Sequence, residues 1–98
     1  MGAADAWLQA NLAPLLANPT FQQDGLLIIT WDEGRASDIN SGGGHIATLL
    51  AGPRVKQGHK STSMYQHQST LRLILQLLGA HGLPGAAASA PDMGEFFQ

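Results

Sequence analysis

The chain has 98 residues, of which 44% are hydrophobic and 12% are charged, and its formal net charge is -2. This composition is ordinary for a globular core, so we expect one domain over residues 1–98 rather than a disordered chain. The five Lys and Arg residues are scattered, which argues against a nucleic-acid partner. The lack of cysteine excludes disulfides and thiolate metal sites.

Neither a membrane span nor a targeting segment is predicted. The longest apolar run is far too short to cross a bilayer. Met1 and Gly2 lead directly into a helical pattern without a basic region, so we expect no signal peptide in this chain. The compartment stays undetermined.

The first predicted element is an amphipathic helix that Asp5 caps and that extends to Ala17. Its apolar positions have the spacing i, i+4 and i+7 and are Leu8, Leu12 and Leu15. Pro14 should kink this helix or end its first part. The sequence Asn18-Pro19-Thr20 should stop it.

A buried strand is predicted over Leu26–Trp31, followed at once by Asp32 and Glu33. The run is apolar except for Thr30, which is typical of a strand covered on both faces of a parallel sheet. We expect the Thr30 side chain to point into packing. In open α/β sheets, ligands bind beyond the carboxyl ends of strands. The two carboxylates therefore mark a candidate site, although a solvated acidic turn is the plainer interpretation.

A polar, glycine-rich loop should follow over Gly34–Gly44. Its run Gly42-Gly43-Gly44 could form an anion nest, but a simple turn is favoured. His45 then precedes a second predicted buried strand, Ile46–Ala51. The order of helix, short loop and strand corresponds to half of a βαβ unit, so the fold class predicted is α/β, a small sheet with helices packed on it.

The last predicted helix spans Ser69–Leu78, with Gly79 as its C′ residue. Two apolar stripes suggest that it is buried on more than one side. The remainder, Ala80–Gln98, is rich in Ala, Gly and Pro. We expect this tail to be held by docking of its terminal Phe96-Phe97 pair.

The candidate site consists of Asp32, Glu33 and His45, which lie within fourteen positions of one another. Two carboxylates and an imidazole are ligands for hard or borderline divalent cations. The spacing matches no closed metal motif. The carboxylates could instead act as general acid and base, but neighbours at a strand end point to different sides, which fits metal ligation better.

Three further histidines are weaker candidates: His59, His67 and His81. Each is most simply a surface or capping histidine. His67 directly precedes the last predicted helix, so it could orient the first turn of that helix or lie behind the metal ligands.

Several segments together carry a resemblance to a known family. They are Asp5-Ala6-Trp7-Leu8, Leu27–Gly34, Gly43-Gly44-His45-Ile46 with Gly52-Pro53, Tyr65–Ser69 leading into Leu71-Arg72, and Phe96-Phe97. In these segments the chain resembles the bacterial phosphoesterases that include non-specific phospholipases C and acid phosphatases of the alkaline-phosphatase superfamily. The resemblance implies a metal-dependent phosphate-ester hydrolase with an α/β/α sandwich. It also implies that Asp32, Glu33 and His45 help to bind a divalent metal ion.

The chain departs from this family in two respects. Glutamine occupies positions 66 and 68 of the segment Tyr65–Ser69. In the family this segment more often has the sequence Tyr-Asp-His-Tyr-Ser. Members are several times longer, and their first metal motif and their hydroxyl nucleophile lie in an amino-terminal part. Members are often exported.

The chain thus resembles a carboxy-terminal part, for which we expect weak activity at most. The alternative is a non-catalytic α/β module that associates with itself or binds metal or a partner. In either case we expect a homo-oligomer, because truncation would expose a sheet edge.

Overall fold

The computed structural model describes residues 2–40 and 43–98. The chain divides into two compact units, residues 1–55 and 56–98. Among the described residues, the first unit holds two α-helices and a two-stranded sheet, and the second holds one α-helix and two short 3₁₀ helices. The predicted α/β class is confirmed. Organisation of residues 1–98 as one domain stays a prediction.

Helix α1 spans Gly2–Ala17 and passes through Pro14 without ending there. A proline removes one helical hydrogen bond, and here the helix nevertheless extends for three more residues. The predicted stop is confirmed because helix α2, Pro19–Asp24, begins afresh. Asn18 caps it by accepting hydrogen bonds from the backbone N–H groups of Thr20 at 2.9 Å and Phe21 at 3.4 Å. An Asn cap followed by Pro at the first helical position is a recognised start signal.

Strands β1, Leu27–Thr30, and β2, Thr48–Ala51, pair with each other as predicted, but they are antiparallel. Leu27 lies opposite Ala51 and Thr30 opposite Thr48. The prediction of a parallel sheet was wrong, because the two strands follow each other in the chain and the described residues between them include no crossover helix. The end of β1 and the start of β2 therefore lie at the same end of the pair.

The two strands are less covered than their apolar sequences predicted. Within Leu27–Thr30 and Thr48–Ala51, all of which the structure describes, no residue is fully buried. Thr30 is exposed, and its hydroxyl lies 2.8 Å from that of Thr48 across the pair. The prediction that Thr30 points into packing was wrong, because its side chain is exposed and pairs with a hydroxyl on the neighbouring strand.

In the second unit, helix α3 spans His67–Leu77 and ends as predicted at Gly79, which has a φ of 74°. The N–H of Gly79 donates to Gln76 O and the N–H of Ala80 to Leu75 O, which is the Schellman pattern. Only one face of α3 is buried, at Ser69 and Leu73. The prediction of burial on more than one side was wrong.

The tail of the second unit contains 3₁₀ helices at Gly85–Ala88 and Gly94–Phe96. The guanidinium of Arg72 on α3 donates to the carbonyls of Ala87, at 3.2 Å, and Ala88, at 2.9 Å. Phe96 packs against His59, with ring centroids 5.3 Å apart. The predicted docking of the aromatic tail is confirmed for Phe96.

Candidate functional site

The structure brings the segments of Asp32, Glu33 and His45 to one end of the sheet. The carboxylates follow β1, and His45 precedes β2. All three residues are exposed. Because the strands are antiparallel neighbours, the chain returns beside the point at which it left. The hairpin thus places both predicted segments together without a parallel sheet.

Gly34 fixes how closely the two segments approach. Its N–H donates to the carbonyl of Gly43 at 2.6 Å. A Cβ atom at position 34 would lie 3.0 Å from the carbonyl oxygen of His45. Glycine therefore allows the backbone after Glu33 to lie directly against the backbone of His45.

These residues do not form a complete metal site by themselves. Among the described residues, no three His, Cys, Asp or Glu side chains are arranged so that they could hold a metal ion. Asp32 Oδ1 accepts a hydrogen bond from the N–H of Glu33 at 2.9 Å. The donor types suit a divalent cation, but a closed coordination shell would need donors beyond these three.

Asp38 is a residue of this loop whose importance the sequence analysis missed. Its Oδ2 accepts a hydrogen bond from the N–H of His45 at 3.0 Å. Its Oδ1 accepts from the N–H of Asn40 at 3.2 Å and from Asn40 Nδ2 at 3.1 Å. These bonds lower the pKa of Asp38 below its usual value, and the bond from the His45 N–H has the largest effect. The signal in the sequence was Asp-x-Asn, which favours a local side-chain turn.

Gly43 and Gly44 form a turn, as the plainer interpretation of the glycine run predicted. The N–H groups of Gly43 and Gly44 both donate to the carbonyl of Asn40, at 3.3 and 2.8 Å. These donors are therefore used within the loop rather than offered to an anion. Gly42, the first residue of the run, lies outside the described residues.

The other histidines lie in the second unit. His67 is the first residue of α3 and is exposed, and His81 is exposed beyond the end of that helix. A role for His67 behind the metal ligands or in orienting α3 stays a prediction. His59 is a partner of Glu95, with Nε2 to Oε1 at 3.0 Å.

Glu95 is the centre of a polar cluster that sequence reasoning did not find. Its Oε2 accepts a hydrogen bond from the hydroxyl of Tyr65 at 2.8 Å. Hydrogen bonds lower the pKa of Glu95 to about 2. The bond with Ser61 contributes most, followed by those with His59 and Tyr65. Burial and Glu95 in turn raise the pKa of Tyr65. The cluster holds the tail against residues 59–65. Local sequence patterns could not predict it, because its members are far apart in the sequence.

Comparison with curated proteins relates the chain to phosphatases. It is 36% identical over 93 residues to a phosphatidylinositol-3-phosphatase of Mycobacterium tuberculosis, a match that covers 91% of this chain and 27% of that protein. It is 33% identical over 86 residues to a probable acid phosphatase of Kluyveromyces lactis, covering 80% of this chain and 20% of that protein. The chain therefore spans about a quarter or less of the length of these relatives.

Two other comparisons returned no relatives. No protein-family model matches the chain. No solved structure matches it significantly. The similarity to phosphatases thus comes from the curated proteins. No helix among residues 2–40 and 43–98 is long and apolar enough to cross a membrane.

Proposed function

We propose that the chain is the carboxy-terminal part of a metal-dependent phosphate-ester hydrolase of the alkaline-phosphatase superfamily. In this proposal Asp32, Glu33 and His45 are ligands of a divalent metal ion. The observation that supports it most is the contact of Gly34 with Gly43, because it holds the segments of all three residues together. The similarity to two proteins named as phosphatases supports the class of reaction.

The chemistry of the donors fits this role. Carboxylate oxygens and a neutral imidazole bind magnesium, manganese and zinc in proteins. A metal ion in such an enzyme polarises the phosphoryl oxygens of the substrate. Since no three described His, Cys, Asp or Glu side chains are arranged so that they could hold a metal ion, we expect this chain alone to bind metal weakly.

The substrate class is a phosphate ester. The name of one relative specifies phosphatidylinositol 3-phosphate and the name of the other an acid phosphatase. Both names describe removal of phosphate, so hydrolysis of a phosphate monoester is the reaction that we propose first. Phospholipase C-like cleavage of a diester is the second possibility, and it rests on the family resemblance alone.

The hydroxyl of Thr30, on the strand before the two carboxylates, is a poor nucleophile as it is placed. Thr30 Oγ1 pairs with another hydroxyl, that of Thr48, at 2.8 Å rather than with a base. A hydroxyl needs an adjacent base or a metal ion to attack phosphorus efficiently. We therefore expect slow turnover by this chain, orders of magnitude below an intact enzyme.

Calorimetric titration with Mn²⁺, Mg²⁺, Zn²⁺ and Ca²⁺ tests the proposed site directly. We expect weak binding of one of these ions, weakened further by Asp32→Ala, Glu33→Ala and His45→Ala. His81→Ala is the matched control, because His81 is an exposed histidine in the other unit. Binding that survives all three site variants would show that the proposed ligands are wrong.

The second candidate function is a non-catalytic α/β module that associates with itself. It is favoured by large apolar side chains that the first unit leaves exposed, among them Trp7 at 60% and Leu49 at 54%. Apolar surface of this kind promotes association. Metal-dependent turnover that is lost in Asp32→Ala separates the enzyme from the module.

A further inference from the structure

The side chain of Asp38 closes the loop that carries His45. One carboxylate oxygen accepts the N–H of His45, and the other accepts both the N–H and the side-chain amide of Asn40. A single carboxylate thus receives three hydrogen bonds from two points of the loop. Hydrogen bonds to a charged acceptor are stronger than those between neutral groups.

Gly44 allows Asp38 to come this close. Its φ is 82°, a conformation that favours glycine. A Cβ atom there would lie 2.5 Å from the carbonyl oxygen of Asp38 and 2.7 Å from its Cγ. Glycine at position 44, directly before His45, therefore leaves free the space that Asp38 occupies.

The contact determines where His45 lies without occupying its imidazole, because the hydrogen bond uses the backbone N–H. On the other side, the N–H of Gly34 is bonded to Gly43. Gly43 and His45, which flank Gly44, are thus held by two separate contacts. One contact comes from the segment after Glu33 and the other from Asp38.

We propose that Asp38 is a positioning residue that holds His45 beside Asp32 and Glu33. The proposal rests on the proposed function, since it assigns Asp38 a purpose in that same site. Asp38 itself is not a metal ligand in this account.

The first arm of the test is carried out without metal. In the unaltered chain, NMR should detect a coupling across the hydrogen bond between the His45 amide nitrogen and Asp38 Cγ. Asp38→Asn should speed hydrogen exchange of the His45 amide on the order of tenfold, because a bond to a charged acceptor is lost. Asp5→Asn, which changes an exposed carboxylate in α1, should leave this exchange unchanged.

The second arm uses Mn²⁺ as a paramagnetic probe of each residue. In the unaltered chain, Mn²⁺ should broaden the NMR signals of Asp32, Glu33 and His45. In Asp38→Asn the broadening of His45 should need on the order of tenfold more Mn²⁺, as when a residue that orients a ligand is lost. The broadening of the two carboxylate residues should stay. General loss of structure would instead affect all three equally.

The two arms separate failure of this proposal from failure of the proposed function. No coupling to Asp38 in the unaltered chain would overturn the proposal even if Asp38→Asn failed to fold. Equal broadening of His45 in both chains would also overturn it, while the metal site would stand. If Mn²⁺ broadened none of the three signals but Asp38→Asn released the His45 amide, the metal function would fall and the positioning of His45 by Asp38 would be supported.

Discussion

The N–H of Gly34 donates to the carbonyl of Gly43 at 2.6 Å and so joins the two segments that carry the candidate ligands. This contact leaves little room for a side chain at position 34. A methyl group at position 34 would lie 3.0 Å from the carbonyl oxygen of His45 and 3.2 Å from its backbone nitrogen. Both neighbours are backbone atoms, which cannot move aside as a flexible side chain can.

Gly34→Ala should therefore destabilise the first unit by about 1–3 kcal/mol, the range typical of overpacking. Urea unfolding followed by circular dichroism measures the loss. Gly82→Ala is the matched control, because a Cβ atom there meets nothing within 4 Å. Equal stability of the two variants would contradict the close approach at Gly34.

Thr30 and Thr48 should be energetically coupled across the sheet. Their hydroxyls are 2.8 Å apart and the residues are direct partners in the register. Thr30→Val, Thr48→Val and the double variant form a cycle whose coupling energy should be roughly 0.2–1 kcal/mol. Strict additivity in urea unfolding would show that the two hydroxyls do not interact.

Glu95 should stabilise the second unit in a manner that depends on pH. Its pKa is lowered from 4.5 to about 2 by the hydroxyl of Ser61, then by His59 and Tyr65. Because the folded pKa is the lower one, this stabilisation is complete above the ordinary value and is lost as the pH falls towards about 2. Glu95→Gln should thus lower the thermal midpoint at neutral pH, and the deficit should shrink in acid.

The control for this experiment is Asp24→Asn, an exposed carboxylate at the end of α2 in the other unit. Its effect should be small at neutral pH. Thermal unfolding followed by circular dichroism across the acid range provides both curves. A Glu95→Gln deficit that does not change with pH would mean that the charge of Glu95 contributes nothing.

The chain should form a dimer or a larger oligomer. Trp7 is 60% exposed, Trp31 48% and Leu49 54%, and each buried Å² of apolar surface contributes about 25 cal/mol. Light scattering at micromolar concentration should give a mass above that of one chain. Leu49→Thr should shift the measured mass towards that of the monomer. A monomeric mass for the unaltered chain would contradict this prediction.

Local signals in the sequence predicted much of the fold. Rules that act over a few residues account for four features of the fold. These are the Asn18-Pro19 break, the turn into β1, the positions of the strands and the end of α3 at a glycine. The tail was placed correctly because Phe96 is one of the few large apolar side chains in its last segment. Such features need no knowledge of distant contacts.

The direction of the strands and the contacts of the loop were not predictable in the same way. An apolar run such as Leu26–Ile29 fits a parallel or an antiparallel strand, so the sequence left the pairing open. The contact between Asp38 and His45 spans seven residues and depends on the conformation of Gly44. The bonds of Glu95 to His59 and Tyr65 connect residues at least thirty positions apart. Those contacts follow from tertiary structure rather than from local pattern.

The most direct test of the phosphoesterase proposal is hydrolysis of an aryl phosphate by the purified chain, with and without added divalent metal. We predict slow, metal-dependent turnover that is abolished by Asp32→Ala and strongly reduced by Glu33→Ala, while His81→Ala stays active. Rapid metal-dependent turnover that survives both carboxylate variants would contradict the proposed site.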